Sequence, residues 1–121
     1  MAEYVPVVNG PRITRKASAA ITGGQLVFVS GDGTVAPTTA ATVAWLGIAG
    51  ADTANGDIVT VYTENFQRAI ASGAVTAGDA LESAAGGKVA KHTVGTNDYL
   101  ILGVALNTVA DGGTVQLTAV R

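Results

Sequence analysis

Side chains that commonly perform catalysis or bind metals are few in this sequence, and they do not cluster. His92 is the only histidine, and no His, Asp or Glu residues near it have the spacing of a metal site. Because no nucleophile motif accompanies it, His92 is predicted to lie in a surface loop between Lys91 and Thr93. The sequence therefore predicts no catalytic residue, no cofactor and no metal site, and an enzyme that uses His92 remains an alternative.

The glycine-rich stretch Gly31–Ala36 follows an apolar segment and matches the pattern G-x-G-x-x-A of dinucleotide-binding loops. That chemistry needs a helix amino terminus pointing at the pyrophosphate. Pro37 directly after the motif opposes a continuing helix, so Asp32-Gly33 is interpreted as a hairpin turn. Most other acidic residues also lie beside glycine, which is typical of turns: Asp57, Asp79 and Asp111.

Basic residues are concentrated near the start of the chain. Arg12, Arg15 and Lys16 are three of the seven basic residues, and they follow the extended stretch Tyr4–Val8. Pro6 and its neighbours favour extended backbone, so residues 1–20 are predicted to be an extended arm that orders on a partner. Acidic groups of a protein are the expected partners of the three cations. The candidate partner-binding residues are Tyr4, Val5, Pro6, Val7, Val8, Arg12, Arg15 and Lys16.

The composition favours one folded domain that packs against another protein. The chain has 121 residues, of which 48% are hydrophobic and only 13% are charged, with a net charge of -2. This balance excludes intrinsic disorder and a nucleic-acid binder with a basic surface. The absence of cysteine excludes disulfides, and no apolar run is long enough to span a membrane. Met1–Tyr4 does not resemble a signal peptide, so we expect use in the compartment of synthesis.

The sequence from Ile21 onward repeats itself, with an offset of about 54 residues early and about 56 late. Ile21–Gly24 corresponds to Val75–Gly78, and Leu46–Ala49 corresponds to Leu102–Ala105. A fixed period of this kind indicates a duplicated supersecondary unit. We predict an arm over residues 1–20 and a single domain over residues 21–121, with repeat units at 21–63 and 75–120.

Each unit is predicted to be β-structure because β-forming residues alternate with glycine-rich turns. Strands are expected at Gln25–Val29, Val43–Ala49, Ile58–Tyr62, Tyr99–Ala105 and Thr114–Val120. Short helical turns are expected at Ala49–Ala54, Ala74–Leu81 and Ala105–Ala110. Trp45 lies within an apolar run and is predicted to pack in the core, whereas Tyr4 and Phe66 are possible contact residues. The fold class is therefore mainly β, a small sandwich or barrel-like domain of two related units.

The pattern of glycines and small apolar residues resembles the head-decoration, or capsid cement, proteins of tailed bacteriophages. The resemblance covers roughly residues 12–120, and Glu64–Arg68 departs from the glycine-rich link expected between the halves. The segments that carry it are Ile21–Gly24, Leu46–Ala49, Asn55–Val61, Val75–Asp79 and Leu102–Ala105.

This resemblance implies a structural protein without catalytic activity. Such a protein is expected to bind the outer surface of an assembled capsid and to bridge subunits of the major capsid protein. It implies a homotrimer on the exterior of the virion, made in the cytoplasm of the host bacterium, with no direct contact to nucleic acid or membrane.

Two other classes of function remain as alternatives. One is a surface-displayed module that binds glycans or other ligands through Tyr or Trp side chains. The other is a carrier domain of the lipoyl or biotinyl type, in which Lys88 after Gly86-Gly87 would bear the modification. A mass increment on Lys88 would support the carrier.

Overall fold

The computed structural model describes residues 12–63 and 66–119, although not the side chain of Phe66. In these residues the chain forms short strands connected by turns, because glycine-rich segments separate the β-forming runs. The first five strands are β1 (Arg12–Ala17), β2 (Leu26–Gly31), β3 (Thr34–Pro37), β4 (Trp45–Ala49) and β5 (Ile58–Tyr62). The next five are β6 (Phe66–Ile70), β7 (Ala80–Ala84), β8 (Lys88–Lys91), β9 (Gly103–Ala105) and β10 (Thr114–Ala119).

The first five strands close into a barrel in the order β1-β3-β2-β4-β5. β1 closes it by pairing with β5 on one side and with β3 on the other. The pairing with β5 is antiparallel and extends from Arg12 to Lys16, whereas the parallel pairing with β3 involves only Lys16 and Ala17. The amino-terminal part of β1 therefore extends beyond β3, and this leaves one edge of β1 without a neighbouring strand among the described residues.

The last five strands form a sheet in the order β6-β10-β9-β7-β8. Read from β8, the order β8-β7-β9-β10-β6 matches β3-β2-β4-β5-β1 in the barrel, strand for strand. A single parallel bridge between Ala71 and Val89 joins the ends of this sheet. It corresponds to the pair of Ala17 and Val35 that closes the barrel.

The buried apolar side chains form two clusters. One fills the barrel, and the other fills the second sheet and also contacts Leu26, Trp45 and Ile48 of β2 and β4. Leu26 and Val27 are adjacent on β2 but pack in different clusters, because side chains alternate between the two faces of a strand. The barrel cluster consists of Ala17, Ile21, Val27, Val35, Ala49, Val59 and Val61. The other cluster contains, at corresponding positions, Ala71, Val75, Leu81, Val89, Ala105, Val115 and Leu117.

The mainly β fold with two β-units is confirmed, but the helical turns are not where the sequence predicts them. Residues 49–54, 74–81 and 105–110 contain no helix. All three segments make bridges instead: Thr53 pairs with Ile21, and Val75 pairs with Val109. These bridges engage backbone groups that a helix would need. Within the described residues, a 3₁₀ turn lies at Asp98–Leu100, and it overlaps the start of the strand predicted at Tyr99–Ala105.

The predicted arm also needs correction. Residues 12–17 belong to it by sequence, yet they form β1 and pair within the barrel without any partner protein. Ile13 and Ala17 near the two ends of this strand contact the barrel cluster, and the ladder to β5 holds the strand between them in place. The rest of the arm before β1, including Tyr4–Val8, lies outside the described residues.

Candidate functional site

β1 brings the three predicted basic residues to the surface of the barrel. Arg12, Arg15 and Lys16 are all exposed, and none of them forms an ion pair within residues 12–63 and 66–119. The guanidinium of Arg15 donates to the carbonyl oxygen of Thr14 at 2.8 Å. The strand thus presents positive charge to solvent that no ion pair within the described part of the chain neutralises.

A shallow depression lies where β1 diverges from the β2–β3 hairpin. We call it the β1 notch, and Arg15 and Lys16 form its basic side. Its apolar side is formed by Val29 and Ile58, which are 48% and 66% exposed, respectively. The complete lining is Thr14, Arg15, Lys16, Val29, Gly31, Asp32, Gly33, Leu46 and Ile58. Exposed apolar side chains flanked by charge are typical of surfaces that contact another protein.

The other predicted contact residues precede the part of the chain that the structure describes. Tyr4, Val5, Pro6, Val7 and Val8 lie outside the described residues, so their role stays a prediction.

His92 is not in a surface loop, and that prediction is wrong. Its side chain is only 3% exposed, directly after β8. Nδ1 lies 2.6 Å from a carboxylate oxygen of Glu82 on β7, and Nε2 lies 3.0 Å from one of Asp98 in the 3₁₀ turn. The sequence offered one signal, a conspicuous lone histidine with acidic residues ten positions before and six after it. The β7–β8 pairing brings Glu82 to His92, and the 3₁₀ turn brings Asp98 to the other ring nitrogen.

The two carboxylates favour the protonated imidazole. The hydrogen bond to Glu82 is the main cause that raises the pKa of His92, followed by the bond to Asp98, and burial opposes both. The bonds from His92 and from the amide of Gly95 lower the pKa of Asp98. When both carboxylates are ionised, only the protonated imidazole can donate to both of them, so the cluster favours the charged form of His92 and connects the loop after β8 to β7.

The remaining sequence candidates occupy structural positions. Asp32-Gly33 forms the turn of the β2–β3 hairpin, with Gly33 at a φ of 73°, as the turn interpretation predicts. Trp45 is buried, as predicted. Lys88 is half-buried at the start of β8, after the turn of the β7–β8 hairpin.

The described residues contain no group of three or more His, Cys, Asp or Glu side chains suited to hold a metal ion. Within residues 12–63 and 66–119, no helix has the length and hydropathy needed to cross a bilayer.

Comparisons with known proteins agree with the β-barrel geometry and identify the family. No curated protein matches the chain. Among solved structures, the head fiber gp8.5 N base of bacteriophage phi29 has a similar fold, with a TM-score of 0.72 and 20% sequence identity. That similarity covers 90% of this chain and 92% of the phi29 chain. The model of the phage cement protein family matches residues 7–121. The chain therefore belongs to the phage cement proteins, a family of structural proteins associated with phage capsids.

Proposed function

We propose that this protein binds the outer surface of an assembled phage capsid and stabilises it by bridging subunits of the major capsid protein. The observation that carries the proposal is the family match over residues 7–121, which includes every strand of both units. A bridging protein lowers the free energy of the closed shell because each copy holds two neighbouring subunits together. It acts by binding alone, without catalysis, cofactor or metal.

The contacts to other proteins are proposed to lie on the segment that leads into the barrel. Tyr4–Val8 has the composition of a strand that pairs with the sheet edge of a partner. The exposed cations of β1 follow it, and an acidic surface would neutralise them. Two kinds of partner are proposed for this segment, the major capsid protein and a neighbouring copy in a homotrimer. Localisation on the virion exterior, after synthesis in the bacterial cytoplasm, follows from this role.

We further propose that the two β-units arose by duplication. The matching strand order and the seven matching core positions support it. Duplication doubles the number of similar surfaces in one chain, which favours binding to a lattice that itself repeats.

Capsid binding is tested by co-sedimentation of the purified protein with capsids that lack it. We expect the full chain to sediment with capsids. A deletion of residues 2–11 and the substitution Arg12→Glu should each weaken binding by roughly tenfold or more, because they remove the proposed augmentation strand or a cation beside it. Both leave Ile13 and Ala17 of the barrel core in place.

The control is Thr118→Glu, which adds a negative charge at an exposed site on β10 of the second sheet. It should bind capsids as the wild type does. Equal binding of the deletion variant and the full chain would remove residues 2–11 from the proposed contact. Failure of the full chain to bind any capsid surface would refute the proposed function.

A further inference from the structure

The barrel and the second sheet meet at a contact that involves a loop of the first unit and a hairpin tip of the second. The loop is Thr22–Gln25, and the tip is the turn at Ala85–Gly87 between β7 and β8. The amide of Leu26 donates to the carbonyl oxygen of Gly87 at 2.8 Å, and the amide of Gly87 donates to that of Thr38 at 3.1 Å. Gln25 Nε2 donates to the carbonyl oxygen of Gly86 at 3.0 Å. We call this arrangement the loop–tip contact.

Each half of the loop–tip contact has a counterpart in the other unit. The loop corresponds to Thr76–Asp79, which follows it by about 54 residues, and the two loops have the same internal bond. The amide of Thr22 donates to Gln25 Oε1 at 2.8 Å, and the amide of Thr76 donates to Asp79 Oδ2 at 2.9 Å. The tip corresponds to Gly31–Gly33 between β2 and β3, which forms one wall of the β1 notch.

These two counterparts are uncovered in the structure. Gly87 is buried, and a Cβ built on it would lie 2.5 Å from the Cβ of Gln25. Gly33 is exposed, and a Cβ built on it would meet no atom within 4 Å. Thr76, Ala77 and Gly78 are exposed as well. One chain therefore uses one loop and one tip internally, and it presents the other loop and the other tip to solvent.

The charges of the two uncovered surfaces are complementary. The exposed loop carries Asp79 at the position where the docked loop has Gln25. Asp79 Oδ1 lies 3.9 Å from Lys91 Nζ, a distance at which a solvated pair contributes little. In the β1 notch, Arg15 and Lys16 form no ion pair with any described residue, and with Asp32 of the same lining they leave the notch a net positive charge. Next to them, Val29 and Ile58 provide apolar area that docking would bury.

We propose that the loop Thr76–Asp79 of one copy docks in the β1 notch of a second copy and repeats the loop–tip contact between chains. Ala80 corresponds to Leu26, and Gly33 corresponds to Gly87. In the proposed contact, the amide of Ala80 therefore donates to the carbonyl oxygen of Gly33 of the second copy. Asp79 then faces Arg15 and Lys16 of that copy. Such a contact is head-to-tail, so it continues from copy to copy until a ring closes, with three contacts in a homotrimer. The proposal rests on the self-association proposed above and not on capsid binding, and it leaves Tyr4–Val8 and Arg12 for the capsid.

The test is the oligomeric state of the purified full chain, measured by analytical ultracentrifugation. We expect a closed oligomer for the wild type. The double substitution Arg15→Glu and Lys16→Glu should weaken association by roughly tenfold or more because like charges then face each other. Adding Asp79→Lys to that double variant reverses both surfaces and should restore the oligomer. Circular dichroism establishes that each variant is folded.

Arg12→Glu is the matched control, because it reverses a basic residue of the same strand outside the notch. It should leave the oligomer intact even if it weakens capsid binding, which separates this inference from the proposed function. The inference is overturned if the wild type sediments as a monomer, or if the folded double variant associates as the wild type does. If the triple variant unfolds, Ala77→Arg replaces it as a bulky change on the exposed loop and should also dissociate the oligomer.

Discussion

At the scale of single residues, the cluster around His92 is the feature that departs most from its sequence prediction. An imidazole between two carboxylates is stabilised in its charged form, and here it connects β7 to the 3₁₀ turn. Its effect on folding has a definite sign. Because the folded pKa of His92 is raised, its contribution is complete below the unfolded pKa of about 6.5 and is lost as pH rises through the folded value.

The same cluster also weakens in acid. The pKa of Asp98 is lowered in the folded chain, so its contribution is present above its unfolded pKa of about 3.9 and is lost as pH falls through the folded value. The cluster should therefore stabilise the fold most in mildly acidic solution, between these two ranges.

We predict that the free energy of unfolding is lower at a pH above the raised folded pKa of His92 than at a pH below its unfolded pKa of about 6.5, because His92 loses its proton between the two. His92→Gln should lower the stability by roughly 1–3 kcal/mol at the lower pH and abolish most of the decrease. Urea denaturation at both pH values measures this. The chain has one histidine, so no other side chain ordinarily titrates there. An unchanged pH dependence in His92→Gln would contradict the assignment.

Two glycines carry a second prediction at this scale. A Cβ on Gly47 would lie 2.3 Å from the carbonyl oxygen of Tyr62, and one on Gly103 would lie 2.0 Å from that of Thr118. Neither distance is tolerated, so the neighbouring backbone must move. Gly103→Ala should destabilise the protein by roughly 1–3 kcal/mol in thermal or urea unfolding. Gly31→Ala is the control, since its nearest contact is the movable Thr34 side chain at 3.0 Å. Equal stability of the two variants would rule out the steric explanation.

At the scale of elements, β1 connects the fold to the proposed binding segment. It pairs with β5 along its length and with β3 at its end, so it closes the barrel and also presents Arg12, Arg15 and Lys16. An arm over residues 1–20, as the sequence predicts, would be dispensable for folding, and the pairing of β1 argues against this. Val59 and Val61 of the barrel cluster lie on β5 opposite Arg15 and Ile13 of β1. Loss of β1 would therefore expose this part of the cluster.

We therefore predict that deletion of residues 2–16 unfolds at least the barrel, whereas deletion of residues 2–11 does not. The first removes the ladder from Arg12 to Lys16, and the second leaves it intact. Far-UV circular dichroism and thermal unfolding distinguish the two variants. If the variant without residues 2–16 unfolds cooperatively at the wild-type temperature, β1 is dispensable for the fold.

At the scale of the whole molecule, the two units share a core pattern and a strand order, but they differ in closure. The barrel has a two-residue parallel pair between β1 and β3, and the second sheet has a single bridge at the corresponding place. The second unit has a groove at the position that corresponds to the β1 notch, and the first unit's loop Thr22–Gln25 forms part of its lining, whereas neither loop lines the β1 notch. This difference gives the chain one used and one unused docking surface, which is the asymmetry required for head-to-tail association.

Residue types and their spacing along the chain were enough to predict several elements of this fold. Alternation in Ile58–Tyr62, the Asp32-Gly33 turn and the repeated anchors predicted strands, a hairpin and two β-units, because each depends on neighbours along the chain. The spacing of Arg12, Arg15 and Lys16 likewise identified them as candidate partner-binding residues. Tertiary structure alone decided that residues 12–17 close a barrel, that residues 49–54 and 105–110 form bridges, and that His92 lies between Glu82 and Asp98. Each of these depends on pairing between segments distant in sequence, and local propensity carries no information about such contacts.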